Sequence, residues 1–251
     1  MPAASKTIPA RVPRTARRFK IKRDAIAVQQ ADLLLRVRAG EGLSRVELAR
    51  IMNLAPSTVG IYVDRLVEEG YLYEGKGPTP GSGRPPTILA LNPQGGRFIG
   101  VDFEARNIMA IAVDFSQRLL KQFHDTITAA EPVESILRKI EHAIETVGAD
   151  DDRKILAIGV GVPGVIDPVK GVALSYKHIK GWQNVPLVSR LTERIGVPVF
   201  VENTIRTMAL AELWFGQGRG LRNFICLGMR SGLFIDGYRQ AAQFRGVGGT
   251  H

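Results

Sequence analysis

Residues 44–86 read SRVELARIMNLAPSTVGIYVDRLVEEGYLYEGKGPTPGSGRPP, and the order of signals in them decides the fold of the N-terminal part. Ser44 is a good helix N-cap, and Glu47 three residues on completes a capping box, each side chain meeting the other residue's orphan N–H. The helix so started runs Arg45 to Met52 and offers Val46, Leu48, Ala49 and Ile51 to a core. Asn53-Leu54-Ala55 is a turn. Pro56 fits the first position of the next helix, where its missing N–H has no partner to lose. That helix spans Pro56 to Glu69, stops at Gly70, and sets Val59, Tyr62, Val63, Leu66 and Val67 as a buried stripe. Tyr71-Leu72-Tyr73 and Ile88 to Leu91 read as the two strands of a hairpin whose Gly/Pro-rich tip carries Gly83 and Arg84. Helix, tight turn, helix and hairpin form the plan of a winged helix-turn-helix, which binds duplex DNA. The rival plan, an αα-hairpin of some other helical domain, leaves the hairpin unexplained. Candidate DNA contacts are Ser57, Thr58, Gly60, Ile61, Asp64 and Arg65 on the recognition helix, with Gly83 and Arg84 on the wing. Arg84 has two uses: entering a narrow minor groove, where negative potential is enhanced, or touching phosphate from a flexible loop.

Upstream, Asp24 to Ala39 carries Ile26, Leu33, Leu34 and Val37 near helical spacing and is closed by Gly40 and Gly42, which predicts a further helix. Residues 1–23 contain Lys6, Arg11, Arg14, Arg17, Arg18, Lys20, Lys22 and Arg23, no acid, and the breakers Pro9 and Pro13. Such a segment buries little, and a disordered basic tail is expected, laid along DNA phosphates or serving only as a solubilising arm. The chain has 251 residues and a net charge of +10; 15 Lys and Arg against 8 Asp and Glu give residues 1–95 a net +7. That excess suits phosphate neutralisation, while solvated surface charge is the plainer use. No apolar run reaches the roughly 20 residues that span a bilayer. The N-terminus lacks the apolar region of a secretory signal, although its composition also fits an Arg-rich organelle presequence. A cytoplasmic location and no membrane partner are expected. Cys226 is the only cysteine, which excludes an internal disulfide and a thiolate metal cluster.

Downstream, Gly95-Gly96 marks a domain junction, after which strands alternate with helices. Phe98 to Phe103, Ile108 to Phe115 and Leu119 to Ile127 read as consecutive strands. Pro132 to Val147 reads as a helix with Val133, Ile136, Leu137, Ile140 and Ile144 along one face. Ile155 to Val162 is the apolar run of a strand covered on both sides. Helix Val185 to Ile195, strand Val197 to Val201, helix Thr204 to Phe215 and strands Asn223 to Gly228 and Leu233 to Tyr238 complete the order.

Several short elements then carry a family resemblance. Gly81-Ser82-Gly83-Arg84-Pro85-Pro86 is similar to the wing signature Gly-Gly-Arg-Pro-Pro. The second domain carries Gly159-Val160-Gly161-Val162-Pro163-Gly164-Val165-Ile166-Asp167, Gly181-Trp182-Gln183-Asn184-Val185-Pro186-Leu187 and Val201-Glu202-Asn203 followed by Ala209, Ala211 and Glu212. Together they resemble the ROK family of repressors and sugar kinases over residues 24–251, on its xylose- and N-acetylglucosamine-repressor branch. The resemblance implies an α/β multidomain chain. A winged helix-turn-helix at residues 24–94 precedes an actin-like, ribonuclease H-like sugar-kinase domain. Its first lobe occupies residues 95–215, and its second lobe, residues 216–251, is incomplete. A sugar would lie in the cleft, with Asn203 matching the residue that bonds a sugar hydroxyl, Pro163 and Gly164 the bordering loop, and Thr204 beside them. Plainer roles stand next to these: a helix N-cap for Asn203 and a simple turn for Pro163-Gly164.

Three departures bear on catalysis. Family kinases place the proton-accepting Asp where this chain has Thr204, whose hydroxyl is far too weak a base at neutral pH. Their phosphate loop Asp-x-Gly-Gly-Thr is here Asp102-Phe103-Glu104-Ala105-Arg106, without the glycines that let backbone N–H groups wrap a phosphate. Their second Gly-rich turn is reduced to Gly228-Met229-Arg230-Ser231-Gly232. Near the end, Gly246-Val247-Gly248-Gly249-Thr250-His251 fits the sugar-binding pattern Ala-Gly-Glu-x-Gly-His in two registers. One puts Thr250 in place of the Glu and leaves the His missing; the other keeps His251 and misplaces the Glu. The family's Cys-rich zinc site has no counterpart, so no metal and no other cofactor is expected. The expectation is therefore a DNA-binding transcriptional regulator, a repressor of carbohydrate-metabolism genes and not an enzyme. Its partners would be double-stranded DNA, a sugar or sugar phosphate effector, and a second copy in a homodimer. The rivals are a constitutive DNA-binding protein that has lost sensing and a sugar kinase that also binds DNA.

Overall fold

The computed structural model describes residues 25–40, 42–77, 85–104, 106–128, 130–218, 221, 223–229, 233–239 and 242–244. The basic tail, the wing-tip residues Gly83 and Arg84, and Gly246 to His251 lie outside them.

Helices α1 (Ala25–Ala39), α2 (Arg45–Met52) and α3 (Pro56–Glu68) precede strands β1 (Leu72–Lys76) and β2 (Thr87–Leu91). Both halves of the capping box form: the Ser44 N–H donates to Glu47 Oε2 at 2.8 Å, and the Glu47 N–H donates to Ser44 Oγ at 3.3 Å. The bond from the Ser44 N–H holds the Glu47 carboxyl below its ordinary range. Asn53 leaves α2 in the left-handed region at φ 52°, a conformation Asn tolerates better than most residues. The hairpin is antiparallel, pairing Leu72 with Leu91 and Lys76 with Thr87. Leu33, Val37, Leu48, Ala49, Val59, Val63, Leu66, Leu72 and Leu89 form one core. Ile26, Val46, Ile51 and Val67, expected on apolar faces, are exposed instead. A short helix buries one stripe, and turns of 100° per residue leave the flanking apolar positions outside it. The first hairpin strand also begins one residue late and extends to Lys76, because Gly75 and Lys76 pair with Ile88 and Thr87.

A 3-10 turn at Pro93–Gly95 leads out of this unit, with Asn92 as its cap and the Asn92 amide donating to Gly70 O at 2.8 Å. Gly96 follows at φ +136°, where a Cβ would stand 2.7 Å from the Leu156 side chain. Glycine is required there on both counts.

The second unit is built on a sheet in the order β10 (Val199–Asn203), β6 (Ile155–Val162), β3 (Arg97–Phe103), β4 (Asn107–Asp114) and β5 (Leu119–Thr126). β3, β4 and β5 are antiparallel neighbours, while β6 and β10 run parallel to β3. This is the ribonuclease H-like order. Helix α4 (Val133–Gly148) packs on β3, β4 and β5, and α5 (Leu187–Ile195) packs on β10. Arg190 on α5 ties the two helices by bonds of 2.7 Å to Glu134 and Glu141 on α4. The core holds Ile99, Phe103, Ile108, Ile136, Ile140, Ile144, Ile158, Trp182 and Leu191 among others.

A helix from Val185 was expected, but Val185 ends β9 (Gln183–Val185) in a small sheet with β7 (Val165–Asp167) and β8 (Val172–Ser175). α5 starts only at Leu187, because Pro186 interrupts and Asn184 sits at φ +51°. Helix α6 (Thr204–Phe215) lies next, followed by a sheet of β11 (Asn223–Met229), β12 (Leu233–Arg239) and β13 (Ala242–Phe244).

Candidate functional site

Two places gather the residues singled out above. The first is the outer face of α3. Ser57, Gly60, Ile61 and Asp64 fall at i, i+3, i+4 and i+7, so they share one side of the helix. Ser57 is exposed and Thr58 half-buried. Ile61 is 67% exposed, a position that suits contact with a thymine methyl. Nothing lies within 4 Å of a Cβ built on Gly60, so this mid-helix glycine serves no packing need in the free protein. Asp64 and Arg65 are exposed but paired, Asp64 with Arg45 at 2.6 Å and Arg65 with Glu69 at 2.9 Å.

Arg45 was not anticipated from the sequence. From the first turn of α2 it bridges Asp64 on α3 and Glu74 on β1, the latter at 2.7 Å, and so fixes the recognition helix against the wing strand. Burial pulls its guanidinium pKa down, but the hydrogen bonds to Glu74 and Asp64 outweigh this and hold it above the ordinary value. Its partners are far away in sequence, so no local pattern announces the bridge.

The second place is the carboxyl end of the parallel strands β3, β6 and β10, where ligands bind in open α/β sheets. Strand register brings Asp102, the Pro163-Gly164 turn and Asn203-Thr204 together there. Asn203 caps α6: its Oδ1 accepts the Ile205 N–H at 3.0 Å, and its Nδ2 donates to Gly164 O at 2.9 Å. Gly164 adopts φ +80°, and a Cβ there would collide with the Ser175 carbonyl. Pro163 is buried. Thr204 is only 4% exposed, and its hydroxyl donates to Asp102 Oδ1 at 3.2 Å. Gly161 makes room for that carboxylate, since a Cβ there would stand 2.6 Å from Asp102 Oδ1. Glu202 accepts the Asn203 N–H at 2.8 Å and pairs with Arg206 at 3.4 Å. Asp102, Gly161 and Glu202 are the members that motif comparison had not marked as site residues. Trp182 packs beneath, its ring centroid 5.1 Å from that of Phe103.

At the position of the kinase phosphate loop the Glu104 N–H donates to Asn107 O at 2.9 Å and closes the β3–β4 turn. A hydroxyl stands where a proton-accepting carboxylate is needed, and that hydroxyl is a donor to Asp102. This arrangement can hold a ligand by hydrogen bonds but offers no strong base at residue 204. Among the described residues, no group of three or more His, Cys, Asp and Glu could hold a metal ion, and no helix is long and apolar enough to cross a membrane.

Comparison with known proteins agrees with this layout. Residues 98–251 match the family model described as ROK family, and residues 32–73 match that of a winged helix-turn-helix DNA-binding unit. A xylose repressor of Caldicellulosiruptor bescii is 34% identical over 219 residues, which is 83% of this chain and 54% of the repressor. A glucokinase of Thermotoga maritima is 31% identical over 146 residues, covering 57% of this chain and 45% of the kinase. The crystal structure of a ROK family transcriptional regulator, homolog of the E. coli MLC protein, superposes with a TM-score of 0.70 at 22% identity, covering 87% of this chain and 57% of that one. The last likeness speaks to the fold alone. The chain spans about half the length of the curated relatives it matches.

Proposed function

Because the chain belongs to the ROK family, we propose that it is a DNA-binding transcriptional regulator, a repressor of carbohydrate-metabolism genes that responds to a sugar or sugar phosphate and has no kinase activity. The observation that carries this reading is the outer face of α3. There Ser57 and Ile61 are exposed, with Thr58 and Gly60 half-buried beside them, on a helix held in winged-helix geometry. Residues 24–94 form the DNA-binding unit, and Asp64, Arg65, Gly83 and Arg84 are its further proposed DNA contacts. Residues 95–215 form the first lobe of the sensor, residues 216–251 begin the second, and residues 1–23 are a basic tail. The sugar is met by Asn203 and Gly164, with Pro163 and Thr204 shaping the wall behind them. The working unit is a homodimer in the cytoplasm. Thr204 in place of the family's base supports the non-enzymatic reading.

The test is fluorescence anisotropy at fixed salt, because phosphate contacts make every affinity salt-dependent. Duplex DNA is first selected from a random pool by the whole chain, then titrated with and without d-xylose, d-glucose and N-acetylglucosamine. Specific binding that one sugar weakens by about fivefold or more is expected, the low end of ordinary coupling. Specific binding that no sugar alters makes the chain a constitutive DNA binder. ATP-dependent phosphorylation of the sugar, lost on substitution of Asp102, would restore the kinase reading.

A further inference from the structure

We infer that helix α6 is a lever between the ligand end of the large sheet and the winged helix, and that Arg38 is the contact through which the lever acts. The inference rests on the sugar-responsive reading only for the nature of the input.

α6 is 12 residues long, about 18 Å at 1.5 Å per residue. Its first residues are held by the candidate ligand cluster: Asn203 caps it while bonding Gly164 O, and Thr204 bonds Asp102. Its last residues are Trp214 and Phe215, 46% and 58% exposed, with ring centroids 6.4 Å apart in an edge-on arrangement. The Arg38 guanidinium lies over both rings, 5.4 Å from the Trp214 centroid and 4.9 Å from that of Phe215. Arg38 sits in the last turn of α1, next to Val37, which is buried in the winged-helix core. One helix therefore touches the ligand cluster at one end and the DNA-binding unit at the other.

The two units also meet along the connecting chain. Tyr71 stacks on Phe115 at 5.0 Å, and Arg153 donates to Pro93 O at 3.2 Å, beside Gly96. This second contact is the pivot. A rotation about Gly96 changes the position of the recognition helix only if Arg38 leaves or slides on the aromatic pair. A cation over an exposed aromatic face is worth about a two- to fivefold population shift, small enough for a ligand to override. A ligand competing for Asn203 or Gly164 would loosen the first turn of α6 and move its far end.

The test is amide hydrogen exchange on the whole chain, in a cycle of Asn203→Ala and Arg38→Ala with Arg38→Lys and Trp214→Leu as companions. Asn203→Ala should speed exchange in the last turn of α1 by about threefold or more. In the Arg38→Ala or Trp214→Leu background it should add nothing, while Arg38→Lys should preserve the response. Exchange across α4 reports the integrity of the sheet core and should rise only by what the loss of global stability in each variant gives, so the response of α1 is read as its excess over that of α4. An α1 indifferent to Asn203→Ala, or one that responds equally with and without Arg38, overturns the lever. Anisotropy with the selected DNA and d-xylose adds a separate arm, in which Arg38→Ala should bind DNA yet lose the sugar response. A wild-type chain blind to every sugar would defeat the sensing reading, and the exchange cycle would still decide the lever.

Discussion

Gly60→Ala is expected to separate stability from DNA binding. Gly60 lies inside α3, its φ is not positive, and a Cβ built on it meets nothing within 4 Å. The folded protein therefore has no steric objection to alanine. Glycine in a helix interior is less favourable than alanine by about 1 kcal/mol, chiefly through unfolded-chain entropy. The variant should be more stable by about 0.5–1 kcal/mol, read as a raised midpoint in guanidinium denaturation with an unchanged slope. If the helix backbone approaches the groove at Gly60, the added methyl overpacks that interface, at a cost of about 1–3 kcal/mol. Anisotropy should then show binding weaker by roughly five- to a hundredfold. Leu119→Ala, an exposed change on the edge strand β5 of the second unit, is the control and should leave DNA affinity unchanged. A more stable Gly60→Ala variant with undiminished affinity would refute the placement of Gly60 at the DNA. A less stable variant would refute the account of the helix itself.

Other outcomes follow from the same coordinates. Asn203→Ala removes both the cap of α6 and the donor to Gly164 O, worth about 1 kcal/mol each; Asn203→Ser should recover the cap half, and urea melts that fail to separate the two variants would count against the double role. Gly164→Ala forces a side chain into the left-handed region and against the Ser175 carbonyl, so a loss of at least about 1–2 kcal/mol is expected, and a neutral thermal melt would contradict it. The hydrogen bonds from Arg153 hold the Asp151 carboxyl down at about 2, below its ordinary 3.8. Its stabilisation is complete above about pH 4 and vanishes as pH falls through about 2, on the order of 1–2 kcal/mol after allowance for solvent; the stability gap between wild type and Asp151→Asn should close between pH 5 and pH 2. Arg45→Met should lower DNA affinity several-fold while costing about 1 kcal/mol or less of stability, because exposed ion pairs contribute little and the bridge acts on the placement of α3; equal affinity would remove that positioning role.

The parts of this fold that local chemistry governs were legible in the sequence. The Ser44 box, Pro56, Gly70 and the apolar run at Ile155 each declare an element within a few residues, and α2 and β6 begin and end where those signals put them. What was misread depended on tertiary context. Val46, Ile51 and Val67 are apolar, but which apolar side of a short helix is buried is decided by the neighbours it meets. The small sheet of β7, β8 and β9 has strands of three or four residues, too short for an alternation to show. The site followed the same division. Motif comparison found Asn203 and Gly164, and the structure joins them by a hydrogen bond. Asp102 and Gly161 stand in the quoted motifs, but their closeness to each other, like the Arg45 bridge, depends on which strands and helices come to lie side by side, and spacing along the chain carries no record of that.

The pairing of Thr204 with Asp102 gives the loss of the family's base a physical sense. An aspartate at residue 204 would put a second carboxylate beside Asp102, where the Thr204 hydroxyl now donates at 3.2 Å. Two carboxylates that close cannot both ionise without a proton or a cation between them. Threonine converts the repulsion into a donated hydrogen bond and leaves Asp102 satisfied in the free protein. The first turn of α6 is then locked by two neutral donors, the Asn203 amide on Gly164 O and the Thr204 hydroxyl on Asp102. On the proposed sensor reading, a ligand entering here would exchange hydrogen bonds with these two donors. Its binding energy would then bear on the position of α6, the differential interaction that the proposed sensor requires.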